Sequence, residues 1–140
     1  MTETEGRKWL RQLCKDKAII FQPIESSRTS IGIPDIYLRT PVVDGWMELK
    51  QIKWNATDHY KIPFRPGQFE WLRKYSGFGG NAILCLFMEE ANNNLVFFIK
   101  RHNIHLEYTM KELIELSSLW RHKSNIAFTD FYWMLNNVIE

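Results

Sequence analysis

GIPDIYLRTPVVDGWMELKQIK, residues 32–53, decides how this chain is read. Two strand-like runs, DIYLRT (35–40) and GWMELKQI (45–52), flank a short turn at Pro41–Gly45. Successive strand side chains point to opposite faces. Glu48 and Lys50 therefore share one face, with Met47 and Leu49 on the other. In the first run Asp35, Tyr37 and Arg39 share a face, and Ile36 and Leu38 take the other. Paired as a hairpin, the runs bring Asp35 close to Glu48 and Lys50. Two carboxylates and an ammonium then meet at one spot, on strands that also have an apolar side. Carboxylate oxygens are what Mg²⁺ prefers, and one or two of them suffice with water and substrate phosphate. A neighbouring lysine can position a water or offset charge on a phosphate. The competing reading is two surface acids and a solvated lysine. The Gly-x-Pro-Asp strand start and the apolar strand around E-x-K favour the site.

Working outward, Thr4–Lys15 predicts a first helix, with Trp9, Leu10, Leu13 and Cys14 as its apolar stripe and Thr2 or Thr4 as cap. Glu5 lies at its start. An acid there complements the helix dipole; the functional reading makes Glu5 a further ligand of the metal or water, with Glu3 as the competing candidate. Ala18–Ile24 predicts a strand. Glu25–Ile31 is a polar loop in which Arg28 and Ser30 are candidates for phosphate contact, against the plainer role of a solvated loop. After E-x-K, Trp54–Phe64 reads as a loop. Pro66–Tyr75 predicts a second helix, with Gln68 one turn in, on the side that can face the site. Asn81–Glu89 is a continuous apolar run, the pattern of a buried central strand. A turn at Asn92–Asn94 and a strand at Leu95–Lys100 follow. Helices are predicted over Thr109–Leu119, opened by the capping box Thr109…Glu112, and over Thr129–Ile139, where Trp133 falls off the apolar stripe.

A chain of 140 residues, 45% apolar, is most simply one folded domain. A net charge of only +2 excludes a general attraction to polyanions. Lys50–Lys74, however, holds six bases against two acids, a local +4 that leaves −2 for the remainder. Lys53, Lys61 and Arg65 in that stretch are candidates for phosphate contact. Two cysteines without C-x-x-C spacing argue against a redox pair and for small apolar residues in a reducing compartment. No signal peptide and no long apolar span is apparent, so a cytoplasmic protein without membrane contact is expected.

Pro34-Asp35, twelve residues, then Glu48-x-Lys50 resembles the PD-(D/E)xK nuclease superfamily. The order helix, strand, strand, strand, helix, strand is similar to that superfamily's core. The stretch from Glu5 through GRKWLRQLCKDKAIIF and PDIYL to ELK, and then the helix with Gln68, resembles archaeal-type Holliday junction resolvases. It resembles the virus-type replication-repair nuclease domain equally. The likeness covers about residues 5–100 and leaves 101–140 as a helical extension of open role. It implies an α/β fold: a restriction-endonuclease-like αβββαβ core with a mixed sheet flanked by helices, plus C-terminal helices. It further implies a DNA endonuclease using Mg²⁺ or Mn²⁺, held by Asp35, Glu48 and the Leu49 carbonyl. Lys50 would orient the attacking hydroxide, with Glu5 and Gln68 as further site residues. Branched DNA as substrate and a homodimer follow from the resolvase likeness. Two other classes remain open: a DNA-binding module with this fold and no turnover, and a protein-interaction domain with a chance motif.

Overall fold

The computed structural model describes residues 1–24, 32–90 and 93–137. Along the chain run α1 (Glu3–Cys14), β1 (Ile20–Pro23), β2 (Ile36–Arg39), β3 (Asp44–Lys53), β4 (Tyr60–Lys61), α2 (Gln68–Gly77), β5 (Ala82–Glu90), β6 (Asn93–Lys100), β7 (Glu107–Tyr108), α3 (Met110–Leu116), β8 (Ser117–His122) and α4 (Phe128–Asn136). Six strands form one sheet in the order β1-β2-β3-β5-β6-β8. β3 and β5 pair in parallel, with α2 in the connection between them; the other neighbours are antiparallel.

Strand alternation sorts the apolar side chains into two layers. Met47 and Leu49 of β3 and Ile83, Cys85 and Phe87 of β5 pack with Leu10 and Cys14 of α1 and Phe131, Met134 and Leu135 of α4. On the opposite face Ala82, Leu84, Leu86 and Met88 pack with Leu72 of α2 and Leu113 of α3. The run Asn81–Glu89 reads as continuously apolar because β5 is covered on both sides. α1 sits close to the sheet at Gly6, where an added Cβ would stand 2.4 Å from ring carbons of Phe87. Cys14 and Cys85 are buried and unbonded; burial pushes the Cys14 thiol up to about 12 and raises Cys85 as well, so both stay protonated.

The C-terminal stretch differs from the expected pair of helices. The helix over Thr109–Leu119 stops at Leu116, and Ser117–His122 adds a sixth strand to the main sheet. Both arrangements bury one side of SSLWRH. Pairing wins because β6 would otherwise present an open edge: Leu119 joins the α1/α4 layer, and Trp120 stacks on Phe97 at 6.1 Å. The capping box at Thr109 forms as expected, with both reciprocal bonds to Glu112 present. The C-terminus of α4 is tied to the sheet. Lys100 Nζ donates to the carbonyls of Met134 (2.7 Å) and Asn137 (2.6 Å), and Asn81 Nδ2 donates to that of Leu135. A cation on the final carbonyls of a helix also complements its dipole. The stretch 101–137 is thus built into the core rather than appended to it.

Smaller departures follow from tertiary pairing. The loop over Trp54–Phe64 contains the two-residue strand β4, matched to β7. α2 begins at Gln68, after Gly67 in the left-handed region (φ 87°), so Pro66 precedes the helix instead of opening it. Arg28 and Ser30 lie outside the described residues, as does the end of the helix expected over Thr129–Ile139. Among the described residues no helix is long and apolar enough to cross a membrane.

Candidate active site

β2 pairs antiparallel with β3 in a register that sets Ile36 opposite Met47. One step further the same register puts Asp35 opposite Glu48, and the next puts Pro34 opposite Leu49. Asp35 lies just before the first paired residue of β2, where the strands part. Its Oδ2 accepts the Leu49 backbone N–H at 3.0 Å.

That hydrogen bond also fixes where the Leu49 carbonyl points. In an antiparallel ladder a residue that aims its N–H at the neighbouring strand aims its C=O the same way. The residue that would return a donor is Pro34, which has no N–H. Pro34 thus withholds the ladder bond, and the Leu49 carbonyl faces the same gap as the Asp35 carboxylate. This property of the Pro-Asp pair is readable from sequence only once the register is known.

Glu48 is 1% exposed, and among the described residues neither of its oxygens meets a donor; the carboxyl group of Asp35 lies within hydrogen-bonding reach, which serves only when one of the two is protonated. Its pKa is pushed up to about 10: burial is the largest cause, followed by the nearby Asp35 carboxyl, with a smaller push from Glu3. Lys50 acts in the other direction. Two ionised carboxylates have only acceptors to offer each other, so their proximity repels unless a proton or a cation sits between them. Lys50 is itself 2% exposed, one strand repeat beyond Glu48 on the same face.

The remaining expected site residues distribute unevenly. Of the two acids in the first turn of α1, Glu3 contributes to the field at Glu48; Glu5 is exposed and is not among the groups acting on it. Gln68 is buried, and its Oε1 accepts the Arg65 N–H at 2.7 Å, a local bond at the entry to α2. That entry touches the segment leading to Pro34. An added Cβ at Gly32 (φ 88°) would stand 2.4 Å from the Gly67 carbonyl oxygen, so only glycine allows the two backbones to meet. Lys53 is exposed at the end of β3, Lys61 is exposed in β4 opposite Glu107, and Arg65 is exposed before α2.

An aromatic strip lies beside the carboxylates. Tyr37 and Trp46, the pair next to Asp35 and Glu48, have centroids 5.2 Å apart; Trp46 meets Trp71 at 5.7 Å, and Trp71 meets Tyr75 at 5.1 Å. These contacts clamp α2 onto the strand face. Offset and edge-on ring pairs of this kind stabilise beyond their area by about 0.5–1.5 kcal/mol each.

Among the described residues no cluster of three or more His, Cys, Asp or Glu side chains forms a ready metal centre. The donor set is smaller and all oxygen: the carboxylates of Asp35 and Glu48 and the carbonyl of Leu49. This suits a hard cation such as Mg²⁺ or Mn²⁺, which keeps several waters and takes the rest of its shell from substrate phosphate. The orphaned oxygens of Glu48 are what such an ion would satisfy. Pro34→Ala is therefore expected to weaken Mn²⁺ binding roughly ten- to a hundredfold, the scale of losing a supporting group at a metal site, while the thermal midpoint barely moves. Calorimetric titration checks the first. Slow hydrogen exchange of the amide gained at position 34 shows that it has bonded to Leu49.

Among solved structures the chain resembles the Holliday junction resolvase Hjc of the archaeal hyperthermophile Archaeoglobus fulgidus. The TM-score is 0.60, with 15% identity, over 80% of this chain and 92% of that one. No protein-family profile matches the chain, and no curated protein does. The mixed sheet with its flanking helices is thus the nuclease fold of that resolvase, and the expected restriction-endonuclease-like class is borne out.

Proposed function

We propose that this chain is a divalent-metal-dependent endonuclease that hydrolyses DNA phosphodiester bonds, with branched DNA such as four-way junctions as its substrate class. The observation that carries the reading is the buried Glu48 carboxyl, met by no donor among the described residues and directly opposite Asp35. Glu48 can ionise there only against its burial and the neighbouring Asp35 carboxyl, a cost in stability. A bound cation offsets that cost, and the fold resembles that of a resolvase.

Asp35 and Glu48, with the Leu49 carbonyl, would hold Mg²⁺ or Mn²⁺. When bound, such an ion lowers the pKa of a ligated water and draws charge from the phosphate. Asp35 also holds the Leu49 backbone through its second role as acceptor, so ligand and strand are positioned together. Lys50, on the same strand face as Glu48, would orient the attacking oxygen and stabilise charge that develops on the phosphate. Its burial keeps water from screening that charge. Two symmetric cuts in a four-way junction call for two copies related by a twofold axis, so the active form is a homodimer.

The test is a panel of four-way, flap and linear duplex DNA, each with Mg²⁺, Mn²⁺ or chelator. The expected result is cutting in either metal, none with chelator, and faster cutting of branched than of linear DNA. Binding without cutting in every metal would contradict the enzymatic reading and leave a DNA-binding module. Neither binding nor cutting would remove the nucleic-acid reading altogether.

A further inference from the structure

α1 carries a charged surface that the site does not use. Lys8, Arg11 and Lys15 are exposed and spaced i, i+3, i+7, which places them on one helical face. Thr4 and Gln12 beside them are neutral, and the helix's acids, Glu3 and Glu5, are confined to the first turn, where Glu5 stands three residues before Lys8. None of the three bases forms an ion pair among the described residues. Residues 7–17 hold five bases and one acid, a local +4. Together with the +4 of residues 50–74, this leaves −6 for the rest of the chain. Positive charge is thus concentrated in two segments rather than spread.

The two segments cover opposite faces of the sheet. α1 packs on the layer of Met47, Leu49 and Phe87, whereas α2, with Arg73 and Lys74, packs on the layer of Leu84 and Leu86. The first turn of α1 carries Glu3, whose charge is felt at Glu48, and the entry to α2 touches Gly32, three residues before Asp35. From Lys8 to Lys15 is about 10 Å along the helix axis. That is roughly the axial length of three phosphates of one DNA strand.

We propose that the outer face of α1, through Lys8, Arg11 and Lys15, is a phosphate-binding tract for one duplex arm of a branched DNA, distinct from the arm that residues 50–74 face. The proposal rests on the nuclease reading above. Because α1 and α2 cover opposite faces of the sheet, the two tracts suit arms that diverge rather than one straight duplex.

The experiment is DNA binding by the full chain, with chelator present to prevent cutting, on a four-way junction at 50–200 mM salt. Lys8, Arg11 and Lys15 are replaced together by Gln, a change on exposed positions that leaves the core untouched. Each phosphate contact adds about 0.9 to the slope of log K against log salt, so the triple variant should lose about 2.7 per protomer and about 5.4 for the homodimer. Across that salt range the wild type should then lose about 2,000-fold more affinity than the variant. A hydroxyl-radical footprint should show protection lost on two symmetry-related arms, one per protomer, and kept on the other two. An unchanged slope would overturn the tract, and loss of protection on all arms alike would overturn its assignment to one arm. A wild type that neither binds nor cuts DNA would instead overturn the nuclease reading itself. Wild-type cutting with an unchanged variant slope would leave that reading standing and remove only the tract.

Discussion

Asp35→Asn is expected to abolish metal-dependent cutting, by at least about a thousandfold, while the fold stays intact. The substitution is nearly isosteric, and the amide oxygen still accepts the Leu49 N–H that Asp35 holds at 3.0 Å. What goes is the charge. The cation loses one of two carboxylates, and with it the activated water and the neutralised phosphate, effects worth several kcal/mol in the transition state. Lys50→Met separates binding from chemistry. Its side chain fits the same buried slot, so Mn²⁺ affinity should hold or rise slightly as a neighbouring positive charge leaves, while cutting falls about a hundred- to a thousandfold. Single-turnover cleavage of a four-way junction, alongside Mn²⁺ titration, reads both. Cutting that persists in Asp35→Asn would mean that the reaction takes place elsewhere.

Glu48→Gln should make the metal-free protein more stable, the reverse of the usual result for a buried polar position. The folded-state pKa of Glu48 is raised from 4.5 to about 10, by burial first and by Asp35 next. Between those values the folded chain holds a proton that the unfolded chain has released, so stability falls as pH rises through that window. A glutamine has no such proton to lose, and its amide can donate to Asp35. At pH 8–9 in chelator the variant is expected to exceed the wild type by about 2 kcal/mol, because folding no longer has to take up a proton that the unfolded chain has released. Its stability should vary less with pH. Mn²⁺ should then raise the thermal midpoint of the wild type and leave the variant unmoved. Urea unfolding at pH 5, 7 and 9, with and without metal, checks the sign. A variant less stable than the wild type at pH 9 would mean that Glu48 has partners beyond those seen.

Much of the core was legible because alternation is a strong signal when one strand is covered on both faces. NAILCLFME sits on β5, and DIYLRT and GWMELKQI pair in the register that brings Asp35 to Glu48. The end of α3 was not legible. ELSSLW suits the last turn of a helix as well as a strand, and the choice is made by the edge of β6, which is distant in sequence. Two acids in one helical turn also look alike in the string. Glu3 acts on Glu48 and Glu5 does not, because the roll of α1 is set by Gly6 seating against Phe87. Gln68 shows a different limit. Its spacing marks the right helix, but its oxygen is taken by the Arg65 amide, a local bond that no periodicity reveals. The basic stripe of α1 was in plain view in the sequence; its meaning depends on which face of the sheet the helix covers.

The central claim is that Asp35 and Glu48 grip one divalent ion. Calorimetric titration of the wild type with Mn²⁺ at pH 7.5, repeated in buffers of different ionisation enthalpy, tests it most directly. One site per chain is expected, and binding should release about one proton, because Glu48 must ionise to serve as a ligand. Both the binding and the proton should vanish in Asp35→Asn and in Glu48→Gln. Mn²⁺ binding of equal strength in all three proteins, or none in the wild type, would contradict the account.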